Sequence, residues 1–269
     1  MAPPSPPRAL TIAGSDSSGG AGIEADLKTF TALQVYGMAC VTSVTAQNTT
    51  AVHSLQDLPP EMVSRQIDVV VEDLGVDAAK SGMLANGAII EAVADRIAHY
   101  RIEKYVLDPV MVSETGQALL QPDAIQILTT RLLPLALVVT PNAAEAEALS
   151  GQAVSDVAGM REAARAIHDL GARHVLVKGG HIEGSDAIDV LYDGSEFETF
   201  SAPRIDTPNT HGTGCTYSAA ITAKLAKGLN VRDAIGDAKE YLTGAIQHGF
   251  DLGKGPGPLN HFWNIGPPE

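Results

Sequence analysis

Short, continuously apolar runs alternate with amphipathic stretches along most of this chain. Ala9–Ala13, Cys40–Ala46, Ala79–Met83, Tyr105–Asp108, Leu137–Thr140 and His174–Lys178 lack the in-out alternation of a strand with one wet face, which predicts strands buried on both sides. Between them Ile89, Ile90, Val93 and Ile97 recur at helical spacing, as do Met160, Ala163, Ala164, Ile167 and Leu170, so each stretch offers one apolar face to a sheet. This alternation is the mark of βαβ units and predicts an α/β fold with a central, mostly parallel sheet flanked by helices on both faces. From Ala187 to Phe200 the period changes. Ile188, Val190 and Tyr192 are followed by Asp193-Gly194 and then by Phe197 and Phe200, which predicts a small β-hairpin element. Helices are expected again over Cys215–Lys227 and Arg232–Gly249, before a Gly/Pro-rich stretch from Gly253 to Pro258.

Composition narrows this picture. A length of 269 residues with 45% hydrophobic content suits one large domain, here 9–269, behind a Pro-rich leader, 1–8, expected to be disordered. The leader lacks the basic and then apolar run of a signal peptide, and no later stretch has the uninterrupted apolar length of a membrane span. Cys40 and Cys215 lie far apart with no disulfide or zinc spacing, so a reducing, cytoplasmic setting is expected. A net charge of −14 argues against a nucleic-acid partner, which needs a surplus of Lys and Arg, and leaves room for a local basic site for a small phosphate.

Several segments have the residue types of a phosphate or ligand site. Asn209-Thr210-His211-Gly212-Thr213-Gly214-Cys215 runs directly into an apolar helix. Its glycines let successive N–H groups turn inward, and a helix N-terminus adds partial positive charge, so the segment suits an anion; a plain tight turn is the simpler alternative. Cys215, in the first helical turn, is expected to have a lowered pKa unless it serves only as a small hydrophobe. Asn142 and Glu145, three apart after a strand, suit either a capping box or the water shell of a metal near a phosphate; spacing alone favours the cap, and both can hold together. Gly14-Ser15-Asp16-Ser17-Ser18-Gly19-Gly20-Ala21-Gly22 permits close approach to a ligand but lacks the G-x-G-x-x-G spacing of a dinucleotide site. Ala46-Gln47-Asn48, Lys80-Ser81-Gly82-Met83, Asp108-Pro109-Val110-Met111 and Lys178-Gly179-Gly180-His181 all fall at strand ends, where open parallel sheets bind ligands. Lys178 either neutralises a phosphate or points at solvent.

Taken in order from Ala9 to Phe262, these segments, with Leu10-Thr11-Ile12-Ala13 and Ala25-Asp26-Leu27-Lys28-Thr29, resemble the hydroxymethylpyrimidine/phosphomethylpyrimidine kinases of thiamine biosynthesis, members of the ribokinase-like superfamily. The resemblance implies that Gln47 reads the pyrimidine edge, with Gly14, Ala21, Asp26, Met83 and Val110 completing the pocket. It implies that Asp108, Asn142 and Glu145 serve Mg²⁺ and the phosphates, Asp108 and Glu145 reaching the metal through water, and that Lys178 and Thr213 lie on the ATP side. The loop from Gly212 through Gly214 to Cys215 would be the anion hole, with Cys215 where most ribokinase-like kinases carry an aspartate base. Thr45 departs from the pattern, which has a more apolar wall residue there. A homodimer is the assembly the resemblance implies.

The implied reaction is in-line transfer of the ATP γ-phosphoryl group to a small heterocycle, catalysed by positioning and charge stabilisation. The family acts twice, on an alcohol and then on the resulting phosphate monoester; only the alcohol needs a proton removed, since the second pKa of a phosphate monoester is about 6. The alternatives are a pyridoxal/pyridoxine kinase, whose ring is similar, and a non-catalytic pyrimidine-binding protein that keeps the fold without turnover.

Overall fold

A computed structural model describes residues 5–112, 116, 118–121, 124–180, 182 and 184–265. The strands are β1 (Arg8–Asp16), β2 (Tyr36–Gln47), β3 (Val52–Asp57), β4 (Ala78–Ser81), β5 (Tyr105–Leu107), β6 (Val138–Val139), β7 (Val175–Val177), β8 (Asp186–Tyr192) and β9 (Phe197–Pro203). They form one nine-stranded sheet in the order β3-β2-β1-β4-β5-β6-β7-β8-β9. Pairing is parallel from β2 to β7 and antiparallel at both margins, where β3 joins β2 and the β8–β9 hairpin joins β7.

Helices cover both faces. One face carries α2 (Pro60–Asp73), α3 (Gly87–His99), α4 (Ala124–Ile127), α5 (Ala143–Ser150) and α6 (Val157–Asp169). The other carries α1 (Gly22–Ala32), α7 (Thr213–Ala226) and α8 (Val231–Gln247). Successive strand residues supply opposite cores: Tyr105 and Leu107 pack with Ile90 and Val93, while Val106 packs with Tyr217 and Ala220. Period-two alternation between two apolar layers explains why the central strands read as unbroken apolar runs. Among the described residues no helix is long and apolar enough to cross a membrane.

All six expected strands are present: β4, β5, β6 and β7 end earlier than their apolar runs, while β1 and β2 extend beyond theirs at both ends, to Arg8–Asp16 and Tyr36–Gln47. Met83, Asp108, Thr140 and Lys178 leave the sheet just past their strands. The hairpin turns at Asp193-Gly194 as expected, with the Asp193 carboxylate accepting from Ser195 N–H at 2.8 Å and Glu196 N–H at 2.7 Å. Arg8, assigned to the leader by its sequence, is instead the first residue of β1: it pairs with Tyr36, and its guanidinium lies 2.8 Å from Asp77. Residues 1–4 of that leader lie outside the described residues.

The expected elements did not include β3 or α2. β3 is an edge strand with four exposed residues, so its polar composition hid it. In α2 only Val63 and Ile67 are fully buried, yet Pro60 at its first turn and Met62, Val63, Ile67, Val70 and Val71 at helical spacing did mark it.

Candidate active site

The carboxyl ends of the parallel strands open into a cavity of about 750 Å³. Every residue to which the family resemblance gave a site role except Asp26 lines it: Gly14, Ala21, Gln47, Met83 and Val110 towards one end, Asp108, Asn142, Glu145 and Lys178 in the middle, and Gly212, Thr213, Gly214 and Cys215 along the wall made by α7. They meet because each strand stops there and delivers its next residues to one rim.

At the first end, Met83 reaches across β1 onto Gly14, where a Cβ would collide with its methyl group. The hydroxyl of Thr45 is buried, donates to the Ser15 carbonyl at 2.9 Å, and sits 3.3 Å from the Gln47 side-chain amide. The polar residue at this departure from the family pattern therefore ties the β1 and β2 ends together beside Gln47. Asp26 requires a correction. It lies beneath the cavity, not in its wall, with both oxygens 3.0 Å from Lys80 Nζ and one accepting from Thr11 Oγ1 at 2.6 Å. Both side chains of the Asp26–Lys80 pair are 0% exposed, so Asp26 has no free oxygen to offer a ligand. Lys80, from the strand-end candidate segment Lys80-Ser81-Gly82-Met83, is likewise beneath the cavity, fully buried against Asp26.

In the middle, Lys178 Nζ lies 2.9 Å from Asp108 Oδ1, which also accepts from Thr140 at 3.2 Å, while Ser218 reaches Oδ2 at 3.2 Å. Burial opposes ionisation of Asp108, but the charges of Lys178 and Lys80 outweigh it and hold the carboxyl below its usual range. Burial pushes Glu145 the other way, up to about 7, with Lys178 opposing and Asp108 adding to the rise. The capping box is complete: Asn142 accepts from Glu145 N–H at 2.9 Å, and Glu145 accepts from Asn142 N–H at 2.8 Å. The cap and the carboxylate facing Lys178 coexist.

Along the α7 wall, Gly212 is the N-cap at φ 86°, and a Cβ there would strike the Gly20 carbonyl, so glycine is required on both counts. No side chain caps this helix, which leaves the N–H groups of Gly214 and Cys215 without an intrahelical acceptor at the cavity edge. Lys178 Nζ lies 3.4 Å from where a Cβ of Gly214 would stand. Thr213 lines the cavity, but its hydroxyl and N–H both donate to the Thr210 carbonyl, at 2.6 and 3.1 Å. The thiol of Cys215 departs from expectation. Burial pushes it up to about 12; Lys80 and the Gly22 N–H pull it down, and the Asp26 and Asp108 charges push it up. Helix position alone predicted a lowered pKa; desolvation beside two carboxylates outweighs it.

Beyond Lys178 the cavity continues to a buried pair, Lys239 Nζ 2.7 Å from Asp189 Oδ2, with the ammonium 5.8 Å from the Tyr217 ring centre. Its residues come from β8, α7 and α8, and no local motif announced them. His181 of the Lys178-Gly179-Gly180-His181 motif lies outside the described residues.

A mostly parallel sheet with its cavity at the strand ends, and an uncapped Gly-x-Gly helix start facing a Lys–Asp pair, define a small-molecule kinase of the ribokinase-like class. Comparison with known proteins gives the particular family. Residues 16–260 match the phosphomethylpyrimidine kinase family, and the chain belongs to it. A hydroxymethylpyrimidine/phosphomethylpyrimidine kinase of Streptomyces coelicolor is 50% identical over 264 residues, covering 98% of this chain and 97% of that protein. A thiamine biosynthesis bifunctional protein of Geobacter sulfurreducens is 51% identical over 253 residues; the match covers 94% of this chain and 52% of that longer relative. Among solved structures, an ADP complex of Bacillus subtilis pyridoxal kinase superposes with a TM-score of 0.90 at 46% identity, covering 96% of this chain and 98% of that one.

Proposed function

We propose that this enzyme transfers the γ-phosphoryl group of ATP to the hydroxymethyl group of 4-amino-5-hydroxymethyl-2-methylpyrimidine, and then to the resulting monophosphate, giving the diphosphate used in thiamine biosynthesis. The observation that carries this reading is the placement of Gln47 and Cys215 in one cavity with the uncapped start of α7. Gln47 supplies an amide for the pyrimidine edge, and Gly14, Ala21, Met83 and Val110 supply walls for the ring. Asp26 acts from below through Lys80.

The N–H groups of Gly214 and Cys215 receive the phosphoryl oxygens, as helix starts do for anions. Lys178 carries a positive charge to the same point. Asp108 and Glu145 provide two carboxylates close to Lys178, with the Asn142 amide beside them. That open donor set would hold a Mg²⁺ ion through its waters, and would not suit a metal needing an all-protein cage. When bound, Mg²⁺ neutralises charge on the transferred group. In the first step Cys215, reacting as the thiolate, takes the alcohol proton as the oxygen attacks phosphorus and ADP leaves. The monophosphate of the second step needs no such transfer.

The pyridoxal kinase superposition favours a second substrate class, a pyridine bearing a hydroxymethyl group, in the same cavity. The deciding assay incubates the protein with ATP, Mg²⁺ and each ring in turn and follows ADP. Turnover of the pyrimidine and its phosphate supports the proposal; turnover of pyridoxal alone replaces it, and no ADP with any ring supports the non-catalytic alternative. A homodimer and a cytoplasmic location belong to the same proposal, and light scattering and cell fractionation check them.

A further inference from the structure

The cavity is bounded by two loops distant in sequence: the glycine-rich loop after β1, which covers the ring end, and the loop before α7, which meets the phosphoryl group. Asp16, the last residue of β1 where the first loop begins, and His211 of the second loop touch across the cavity rim, Oδ2 to Nε2, at 2.9 Å. Both are buried. The Asp16 carboxylate gathers its own loop as well, accepting from Ser18 N–H at 2.8 Å, Ala21 N–H at 2.9 Å and Gly20 N–H at 3.2 Å. His211 is held from behind by its N–H bond to the Gly257 carbonyl at 3.0 Å. The two loops touch through main chain too: the imidazole lies on Gly20, where a Cβ would collide with it, and Gly212 faces the Gly20 carbonyl.

We propose that His211 is a positioning residue: through Asp16 it clamps the anion-hole loop to the loop over the ring, so that acceptor and incoming phosphoryl group share one frame. Its Nε2 is committed to Asp16, so the imidazole acts through that carboxylate. Burial works against the Asp16 charge, but the hydrogen bonds from His211 and Ser18 hold its carboxyl down at about 2, so the acceptor stays ionised throughout the working pH range. The ring residues, with Gly14, Ala21 and Gln47 among them, and the phosphate residues, with Lys178, Gly214 and Cys215 among them, are separate sets, whereas in-line transfer depends on the distance between them. A misplacement of about 1 Å is enough to cost about 10²-fold in rate.

The inference rests on the kinase reading above. Steady-state kinetics are measured first on the parent, with whichever ring it phosphorylates as acceptor, so that failure on the pyrimidine counts against the substrate assignment and leaves the clamp to be scored on the accepted ring. His211→Ala is expected to lower kcat about 10- to 100-fold, while KM for acceptor and for ATP stays within about threefold, because binding groups are untouched and alignment is lost. His211→Gln carries an amide N–H at similar reach and is expected to recover most of kcat. His211→Asn, one bond shorter, should stay slow, and the Gln/Asn pair decides the matter if the alanine variant does not fold. Parent-like kcat in His211→Ala, equal rates in Gln and Asn, or a loss confined to KM overturns the clamp.

Discussion

Asn142 and Glu145 cap the start of α5 reciprocally, at 2.9 and 2.8 Å, and the same Glu145 carboxyl, buried, faces the Lys178–Asp108 pair. One residue thus closes a helix and contributes to the charge balance of the site. Glu145→Gln separates the two, because a Gln side chain can still accept from the Asn142 N–H. The variant is expected to melt close to the parent and to need a higher Mg²⁺ concentration for half-maximal rate; loss of the cap alone would instead cost about 1 kcal/mol of stability. Thermal melts and a Mg²⁺ titration of the ATPase rate check this.

Glu145 also predicts a pH dependence. Its folded pKa, about 7, stands above the unfolded value of 4.5, so the native state binds more protons between the two. Stability therefore falls as pH rises from about 4.5 through about 7, and the full cost is present above that window. Glu145→Gln should flatten this part of the stability profile. Urea melts at pH 5 and pH 8 on parent and variant measure the difference.

Gln47→Ala is expected to raise KM for the pyrimidine far more than KM for ATP, with a loss of about 1–3 kcal/mol from the missing amide contact. Thr45→Val should act in the same direction but more weakly, since it removes the 2.9 Å bond to the Ser15 carbonyl and leaves the Gln47 amide unsupported. Initial rates with each substrate varied in turn test both. An equal rise in both KM values would take Gln47 out of the ring site.

With its thiol raised to about 12, Cys215 is mostly protonated at neutral pH, so its base role runs through the minor thiolate form and the rate with the alcohol should rise with pH. Cys215→Ala should slow the alcohol substrate by about 10²–10⁴-fold and largely spare the monophosphate. Cys215→Asp should restore part of the first step. Iodoacetamide should modify Cys215 more slowly than an unperturbed thiol but faster than Cys40, which is fully buried and bonded to the Val63 carbonyl. Peptide mapping against time, with and without substrate, gives both rates.

Lys80→Met leaves the Asp26 carboxylate buried without its cation, and breaking a buried pair this way typically costs about 3–5 kcal/mol. Adding Asp26→Asn removes the stranded charge and should return much of that stability. Urea denaturation of both variants shows whether the pair is coupled.

The sequence by itself determined the layers, because an apolar run that must be buried on two faces leaves no choice but a parallel sheet between helices. It also determined the hairpin, through Asp193-Gly194, and the strand-end positions of Gln47, Asp108, Asn142 and Lys178, since polar residues following such runs fall at the carboxyl rim. It did not reveal β3, whose four exposed residues obey no burial pattern. Only the tertiary structure decided which candidates reach the cavity. Asp26 and Ala21 stand five residues apart at the start of α1, yet a single turn of helix sends Asp26 beneath the sheet rim to Lys80 and leaves Ala21 in the wall. Protonation was likewise beyond local sequence. A helix N-terminus lowers a thiol's pKa, but at Cys215 burial reverses the shift, with two carboxylates adding to it: Asp108 just past β5 and Asp26 on α1, brought together by folding alone.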